Sequence, residues 1–244
     1  MALLEIKNVS KRFGGLKAVT DVNMSVETGE IAFIVGPNGA GKTTLFNLIT
    51  SVHQADAGQI VFDGHDITHS SPNTAAKLGI GRTFQIVKPL RNLTVLENTM
   101  LGAFLRTSSP AAAEREAAKV LQFLGMGKVM HLAARGMGLP MMKRLEIARA
   151  LATKPRLILL DEVVAGLPTV EALALADLLK RLPEWGIAAI GGVEHVMQVV
   201  MKIADRVVVL DHGIKIAEGK PQDVVHHPAV IEAYLGSKYK ELLK

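Results

Sequence analysis

Short apolar runs and stretches of alternating polarity recur along the chain. Residues 31–35 (Ile-Ala-Phe-Ile-Val) and 157–160 (Leu-Ile-Leu-Leu) are uninterrupted apolar runs, which are typical of strands buried on both faces. Residues 21–27 alternate polar and apolar side chains, as a half-buried antiparallel strand does. Residues 59–63, followed by Gly64, predict another strand. A small antiparallel sheet is therefore expected near the N-terminus.

Apolar residues at helical spacing mark three other segments. They are Leu45, Leu48, Ile49 and Val52; Ala113, Ala117, Val120, Leu121 and Leu124; and Leu175, Leu178, Leu179 and Leu182. Thr94 and Glu97 form a capping box, which predicts the start of a further helix. We expect a helical subdomain over residues 86–155, inserted into one domain that spans residues 1–244.

The C-terminal third returns to strand patterns. Residues 187–193 predict a central strand, and residues 206–217 predict a hairpin that turns at Asp211-His212-Gly213. Strands that alternate with helices around a helical insert predict an α/β protein with a mostly parallel sheet. The expected architecture adds an antiparallel β-subdomain at the N-terminus and the inserted α-helical subdomain.

Composition limits where in the cell the protein is expected and which classes of partner it is expected to bind. Hydrophobic residues make up 49% of the 244 residues, yet no uninterrupted apolar stretch approaches the about 18 residues of a membrane-spanning helix. The N-terminus lacks the pattern of a signal peptide and the chain has no cysteine, which predicts a cytoplasmic protein. The net charge is +5, but basic residues are scattered and aromatics are only 4%. Nucleic-acid binding is therefore not expected.

Residues 36–43 read Gly-Pro-Asn-Gly-Ala-Gly-Lys-Thr, a complete phosphate-binding loop. The loop lies between a predicted strand and a predicted helix, which aims backbone N–H groups and the positive helix end at a polyphosphate. Lys42 would neutralise the β- and γ-phosphates, and the Thr43 hydroxyl would ligate Mg²⁺. The predicted nucleotide-binding residues are Gly36, Pro37, Asn38, Gly39, Ala40, Gly41, Lys42, Thr43 and Thr44. The sequence therefore predicts a site for a nucleoside triphosphate.

Two carboxylates directly follow the apolar run 157–160. Asp161 could hold Mg²⁺ through water at the end of the strand, and Glu162 could polarise the attacking water. Gln85, at the entry to the helical insert, and His195, after the strand predicted at 187–193, are weak signals when each is considered alone. Together with the phosphate loop, the four residues form one candidate site.

These motifs resemble the nucleotide-binding subunits of ABC transporters over essentially the whole chain. The segments most similar to the ATP-binding subunit of branched-chain amino-acid importers are residues 11–19, 79–85, 145–151, 194–195 and 227–236. The resemblance implies a P-loop NTPase fold and hydrolysis of ATP with Mg²⁺. Two such domains would sandwich two ATP molecules and drive alternating access in membrane partners.

The resemblance also implies roles for individual residues. Phe13 would stack on the adenine, although ordinary packing within an N-terminal strand is the alternative. Gln85 would contact Mg²⁺ or the lytic water and relay the nucleotide state to the membrane subunit. Asp161 would be the Mg²⁺ carboxylate and Glu162 the general base. His195 would contact the γ-phosphate.

The partners implied by the family are transmembrane permease subunits and a second ABC ATPase subunit, in a homodimer or a heterodimer. An extracellular or periplasmic amino-acid-binding protein would act indirectly, and the chain would lie on the inner face of the cell membrane. The surface over residues 86–105 would meet the permease through Val87, Leu90 and Leu93. Alternatively, these three side chains fill the helical subdomain.

Two segments depart from the family pattern. ABC proteins typically carry Leu-Ser-Gly-Gly-Gln where residues 136–144 read Gly-Met-Gly-Leu-Pro-Met-Met-Lys-Arg, here named the signature segment. Counted without a gap, Gly138 replaces the serine and Pro140 a glycine, and proline has no N–H to donate. Alternatively, Leu139-Pro140 begins the signature and two residues are absent before Met141.

The second departure follows the two carboxylates. Residues 163–169 read Val-Val-Ala-Gly-Leu-Pro-Thr and lack the Asn or Asp that relatives carry between that Leu and a proline. The predicted function is the ATPase of an importer for branched-chain or related amino acids. The alternatives are a lipopolysaccharide-export ATPase, a soluble ABC ATPase of DNA repair or translation, and a catalytically weak nucleotide-binding subunit.

Overall fold

The computed structural model describes residues 2–84, 88–192 and 197–235. The strands are β1 (Leu4–Phe13), β2 (Leu16–Val26), β3 (Ile31–Val35), β4 (Ala57–Phe62), β5 (His65–Asp66), β6 (Ile80–Arg82), β7 (Leu157–Asp161), β8 (Ala188–Gly192), β9 (Arg206–Asp211) and β10 (Ile214–Gly219). The helices are α1 (Lys42–Ile49), α2 (Pro72–Leu78), α3 (Val95–Ala103), α4 (Pro110–Phe123), α5 (Leu139–Ala152), α6 (Thr169–Leu179), α7 (Met197–Ile203), α8 (Pro221–Val224) and α9 (Pro228–Leu235). Short 3₁₀ turns lie at Gly127–Val129 and Leu182–Trp185.

The strands form two sheets. One sheet is antiparallel, in the order β2-β1-β4-β5, and contains the two strands expected near the N-terminus. The other has the order β10-β9-β3-β8-β7-β6, in which β10 is antiparallel to β9 and the other neighbours are parallel. The α/β class with a mostly parallel sheet is confirmed.

The parallel sheet separates two hydrophobic cores, because side chains of a strand alternate between its faces. In β3, Phe33 belongs to the core shared with α3 to α7, whereas Ile34 belongs to the core shared with α1 and the antiparallel sheet. In β7, Leu160 and Leu159 divide in the same way. Both strands are buried on two faces, as their uninterrupted apolar runs predicted.

Helices α3, α4 and α5 occupy most of the segment expected to be a helical insert. The capping box is confirmed: Glu97 N donates to Thr94 Oγ1 at 3.1 Å, and Thr94 N donates to Glu97 Oε2 at 2.7 Å. Leu121 of α4 and Leu145 of α5 lie in the same core as Leu160 of the parallel sheet. The helices and the sheet therefore share one interior.

Two helices end earlier than their apolar spacing suggests. Helix α1 stops at Ile49 because the backbone turns left-handed at Ser51 (φ 57°), and Val52 lies half-exposed beyond it. Helix α6 stops at Leu179, and Leu182 is buried at the start of a 3₁₀ turn whose second residue is Pro183. A proline there cannot continue an α-helix.

Candidate functional site

The phosphate loop, residues 36–43, connects β3 to α1 through backbone conformations that require glycine. Gly36 has φ 152°, and a Cβ there would lie 2.1 Å from the carbonyl oxygen of Leu210. Gly41 has φ 98°, and a Cβ there would lie 2.4 Å from the carbonyl oxygen of Ala18. Any larger residue would push the loop away from β9 and β2. The glycines of the motif are therefore fixed by packing of the loop as well as by access to a ligand.

Helix α1 begins at Lys42 with Gly41 as its N-cap, and no side chain caps its first turn. The helix therefore presents backbone N–H groups and its positive end towards the loop. Lys42 is only 8% exposed, and its Nζ donates to the carbonyl oxygens of Gly36 (2.7 Å) and Pro37 (2.8 Å). The ammonium is thus held inside the loop, where an oligophosphate would lie.

The carboxylates expected from the sequence lie in the same small cleft as Lys42 and Thr43, which also contains Phe46 and Gly192. Asp161 is the last residue of β7, and Glu162 follows in a left-handed conformation (φ 48°) with its N–H bonded to Gly192 O at 3.1 Å. Hydroxyl and carboxylate oxygens are ligands that Mg²⁺ accepts. Thr43 and Asp161 therefore fit a Mg²⁺ ion that would also bind phosphate oxygens.

Phe13 closes β1 beside the phosphate loop and is 43% exposed. Its ring packs edge-on against His53, with ring centroids 5.2 Å apart, and lines a cleft of about 320 Å³ with Lys17, His212 and loop residues 39–44. A half-exposed ring beside the loop favours the base-stacking interpretation over packing within the strand. Gln85 and His195, the other two predicted site residues, lie outside the described residues.

The structure adds two residues that the sequence interpretation missed, both in the segment 79–85. Arg82 Nη2 forms an ion pair with Asp161 Oδ2 at 2.8 Å, and the N–H of Asp161 donates to Thr83 Oγ1 at 2.9 Å. The strand predicted at 157–160 did not indicate these contacts, since β6 is its neighbour only in the folded sheet. The carboxylate and the backbone N–H of Asp161 are therefore positioned by residues at the end of the adjacent strand.

Helix α5 contributes a third residue. Lys143 is buried, and its Nζ donates to the carbonyl oxygen of Glu162 at 2.8 Å. Burial lowers the pKa of the Lys143 ammonium, while the negative charges of Glu162, Asp161 and Glu146 act in the opposite direction. Burial raises the pKa of the Glu146 carboxyl, with Arg149 opposing that shift. The buried ammonium of Lys143 in α5 thus holds the turn that carries Glu162.

The two segments that depart from the family pattern touch each other. Helix α5 begins at Leu139 with Gly138 as its N-cap, where no side chain supplies a capping hydrogen bond, and Pro140 lies in its first turn. A Cβ built on Gly166 would lie 3.3 Å from Leu139 Cδ2. The turn after Glu162 therefore packs on the start of α5.

Comparison with known proteins shows which family the chain belongs to. A family model described as "ABC transporter" matches residues 19–165, and one described as "Branched-chain amino acid ATP-binding cassette transporter" matches residues 215–240. The chain belongs to the ABC transporter family. The high-affinity branched-chain amino acid transport ATP-binding protein BraF of Pseudomonas aeruginosa is 36% identical to this ABC protein over 249 residues, 96% of this chain and 98% of BraF.

Solved structures agree with this assignment. The ADP conformation of an ATP-binding cassette of an ABC transporter has a TM-score of 0.88 and 34% identity, covering 97% of this chain and 100% of that one. A dimeric post-hydrolysis cassette bound to ADP and Pi has a TM-score of 0.78 and 26% identity, covering 89% and 98%. The P-loop NTPase fold is confirmed.

Membership of the family defines the activity in outline. ABC transporter ATP-binding proteins bind and hydrolyse ATP as components of membrane transporters, and this ABC protein is one of them. Within the described parts of the chain, no helix is long and apolar enough to cross a bilayer. Membership of the ABC transporter family implies membrane permease partners.

Lys42→Ala should lower the affinity for ATP by roughly 10- to 100-fold, since a charge-assisted hydrogen bond contributes about 1.5–3 kcal/mol. Isothermal titration calorimetry on the full chain with ATP and Mg²⁺ measures the effect. Lys119→Ala removes a lysine whose side chain is 67% exposed, on α4, and should leave the affinity unchanged. Equal affinities for wild type and Lys42→Ala would refute the assignment of the loop.

Proposed function

We propose that this protein is the ATPase subunit of an importer for branched-chain or related amino acids. The observation that carries the proposal is one cleft that contains Lys42 and Thr43 of the phosphate loop together with Asp161 and Glu162. The named specificity of its relatives supports the class of solute. The solute itself would be selected by the permease and by an amino-acid-binding protein outside the membrane, which act with this subunit.

The residues of the cleft have complementary roles in this proposal. The N-terminus of α1 and Lys42 bind the β- and γ-phosphates, and Thr43 and Asp161 hold Mg²⁺. Bound Mg²⁺ neutralises charge that develops on the phosphoryl oxygens. Glu162, beside Asp161 at the end of β7, orients the attacking water and accepts its proton. Phe13 stacks on the adenine. The contacts of Gln85 with the metal or water, and of His195 with the γ-phosphate, are proposed from the family resemblance.

Glu162→Gln should retain ATP binding but lower hydrolysis by about 10²- to 10⁴-fold, because the amide keeps the shape and cannot accept a proton. Single-turnover hydrolysis and calorimetry on the same preparation separate the two effects. Glu114→Gln changes an exposed carboxylate of α4 and serves as the matched control. Hydrolysis at the wild-type rate in Glu162→Gln would show that another residue accepts the proton of the attacking water.

We propose that a second ABC subunit completes the nucleotide site. A related cassette was solved as a dimer bound to ADP and Pi, which supports the proposal. By resemblance to the family, the signature of one subunit would lie against the phosphate loop of the other. In this chain Gly138 caps α5 without a side-chain hydroxyl, and Pro140 in the first turn has no N–H. A homodimer would pair two sound loops with two altered signatures and hydrolyse ATP slowly. A heterodimer would need an intact signature from its partner.

Replacement of Met137–Met141 by Leu-Ser-Gly-Gly-Gln should raise hydrolysis by the isolated chain at least about tenfold, or about 1.4 kcal/mol of activation free energy. The serine would cap α5 and supply a hydroxyl to the ATP of the opposite subunit. Steady-state phosphate release measures the change, and Gly138→Ala, which adds a side chain without a hydroxyl, is the control.

Insertion of two glycines between Pro140 and Met141 distinguishes the other alignment, in which two residues are absent. Recovery in that variant alone would place Leu139-Pro140 at the start of the signature. A wild-type chain that already turns over at about 10 per second would contradict the altered-signature hypothesis.

A groove beside the site fits the permease partner. It encloses about 340 Å³ between the end of α1, helices α2, α3 and α5, and β6, and its wall includes Val52, Phe84 and Leu101. These three side chains are 50%, 62% and 43% exposed. Leu90 is also exposed, Leu93 is half-buried, and Val87 lies outside the described residues. We propose that an apolar helix of the permease binds here, which would hold the subunit at the cytoplasmic face of the membrane.

Leu90→Asp combined with Leu101→Asp should abolish amino-acid uptake while ATP affinity stays within about twofold, since charge in an apolar contact is costly to desolvate. Uptake into proteoliposomes that contain the assembled transporter, with calorimetry on the isolated chain, gives both values. Leu132→Asp replaces an exposed leucine that does not line the groove and should have no effect. Normal uptake by the double variant would move the permease contact elsewhere, and loss of folding would show these leucines to be core.

A further inference from the structure

We propose that Arg82 is a positioning residue that couples the metal carboxylate of the ATP site to the permease groove. The inference rests on the proposed function, because it uses Asp161 as the Mg²⁺ ligand and the groove as the permease contact. Arg82 does not itself touch the nucleotide in this proposal. It is bonded to Asp161 and lines the groove.

The guanidinium forks between two elements of the ATP site. Its Nη2 is 2.8 Å from Asp161 Oδ2, and its Nη1 donates to Asn47 Oδ1 at 2.6 Å. Asn47 lies in α1, the helix that begins with Lys42, and Thr50 Oγ1 at the end of that helix is 3.4 Å from the same Nη1. The planar fork therefore joins the end of β7 to the last turn of the phosphate-binding helix, which a lysine could not do.

The same residue forms part of the permease groove. Arg82 is the last residue of β6, and Phe84, two residues later, is the most exposed of the three apolar groove residues named above. The N–H of Phe84 donates to the buried carboxylate of Glu146 at 3.3 Å, which also lines the groove. A displacement of Arg82 would therefore move the backbone that presents Phe84.

The ion pair of Arg82 with Asp161 contributes too little to the free energy of unfolding to explain why this arginine is buried here. The side chains of Arg82 and Asp161 are each 13% exposed, and burial of an ion pair contributes little net stability. Among the described residues, Arg82 Nε is buried without a hydrogen-bond acceptor. The guanidinium carbon lies 5.8 Å from the centre of the Phe46 ring, and Phe46 lines the cleft that contains Lys42 and Asp161. An incompletely satisfied buried cation at the active carboxylate indicates a role beyond packing.

The coupling follows from competition for Asp161. A second cation at this carboxylate weakens the attraction between Asp161 and the guanidinium, since like charges at such short range repel. The guanidinium of Arg82 then bonds Asp161 more weakly and Asn47 more strongly, and β6 moves with this side chain. By linkage, a permease helix that fixes Phe84 changes the affinity of the site for Mg²⁺-ATP by the same factor.

Amide hydrogen exchange on the full chain tests the inference without turnover. Exchange of peptides that cover residues 80–84 and 88–105 is compared with ATP plus Mg²⁺ and with ATP plus a chelator. Wild type should show a Mg²⁺-dependent difference in both peptides. Arg82→Met should still bind ATP, as calorimetry checks at the concentrations used for exchange, and lose this difference. Arg106→Met, which removes an arginine bonded to backbone carbonyls of Ala76, Lys77 and Thr153 beside the groove, should keep it.

Arg82→Lys is a second variant whose result does not depend on folding of the methionine variant. It keeps the positive charge and loses the two-pronged geometry of the guanidinium. It should lose about half or more of the exchange difference, since one ammonium cannot hold both partners. A full difference in either folded variant would overturn the proposal. A wild-type chain that binds Mg²⁺-ATP without any difference would also overturn it, whereas a wild-type chain that binds no ATP would instead refute the proposed function.

Discussion

The close approach of three backbone segments beside the phosphate loop determines the geometry of the whole site. Gly41 of the loop lies against the carbonyl of Ala18 in β2, and Gly213 in the β9–β10 hairpin would place a Cβ 2.8 Å from the same oxygen. Hydrogen bonds from Thr20 N to Gly213 O and from Gly213 N to Ala40 O complete the junction. The antiparallel sheet is therefore fixed to the parallel sheet at the loop, which places Phe13 beside Lys42.

Three cations from different elements surround the two carboxylates at the end of β7. Lys42 lies within the phosphate loop, where its ammonium bonds loop carbonyls. Arg82 holds the side chain of Asp161, and Lys143 holds the backbone of Glu162. The side chain of Asp161 and the backbone of Glu162 are thereby held in place by the protein itself, and such preorganisation favours phosphoryl transfer.

How far the sequence predicts this site depends on whether the contacts are local. The strand at 31–35, the phosphate loop and the capping box at Thr94 were predictable, because each depends on residues close together in the chain. The pairing of Arg82 with Asp161 was not, since it depends on β6 lying beside β7 although the two residues are 79 positions apart in the chain. The contact of Lys143 likewise depends on how α5 packs, which helical periodicity does not define. The roles of Gln85 and His195 still rest on resemblance.

The two segments that depart from the family pattern, residues 136–144 and 163–169, contact each other beside Glu162. Gly138 and Lys143 lie on consecutive turns of one helix end, and Lys143 bonds the carbonyl of Glu162. Leu139 packs on the turn at Gly166, which Glu162 opens. A change at the start of α5 therefore affects two places at once: the surface that we propose to face a partner subunit, and the backbone of Glu162, which we propose as the general base.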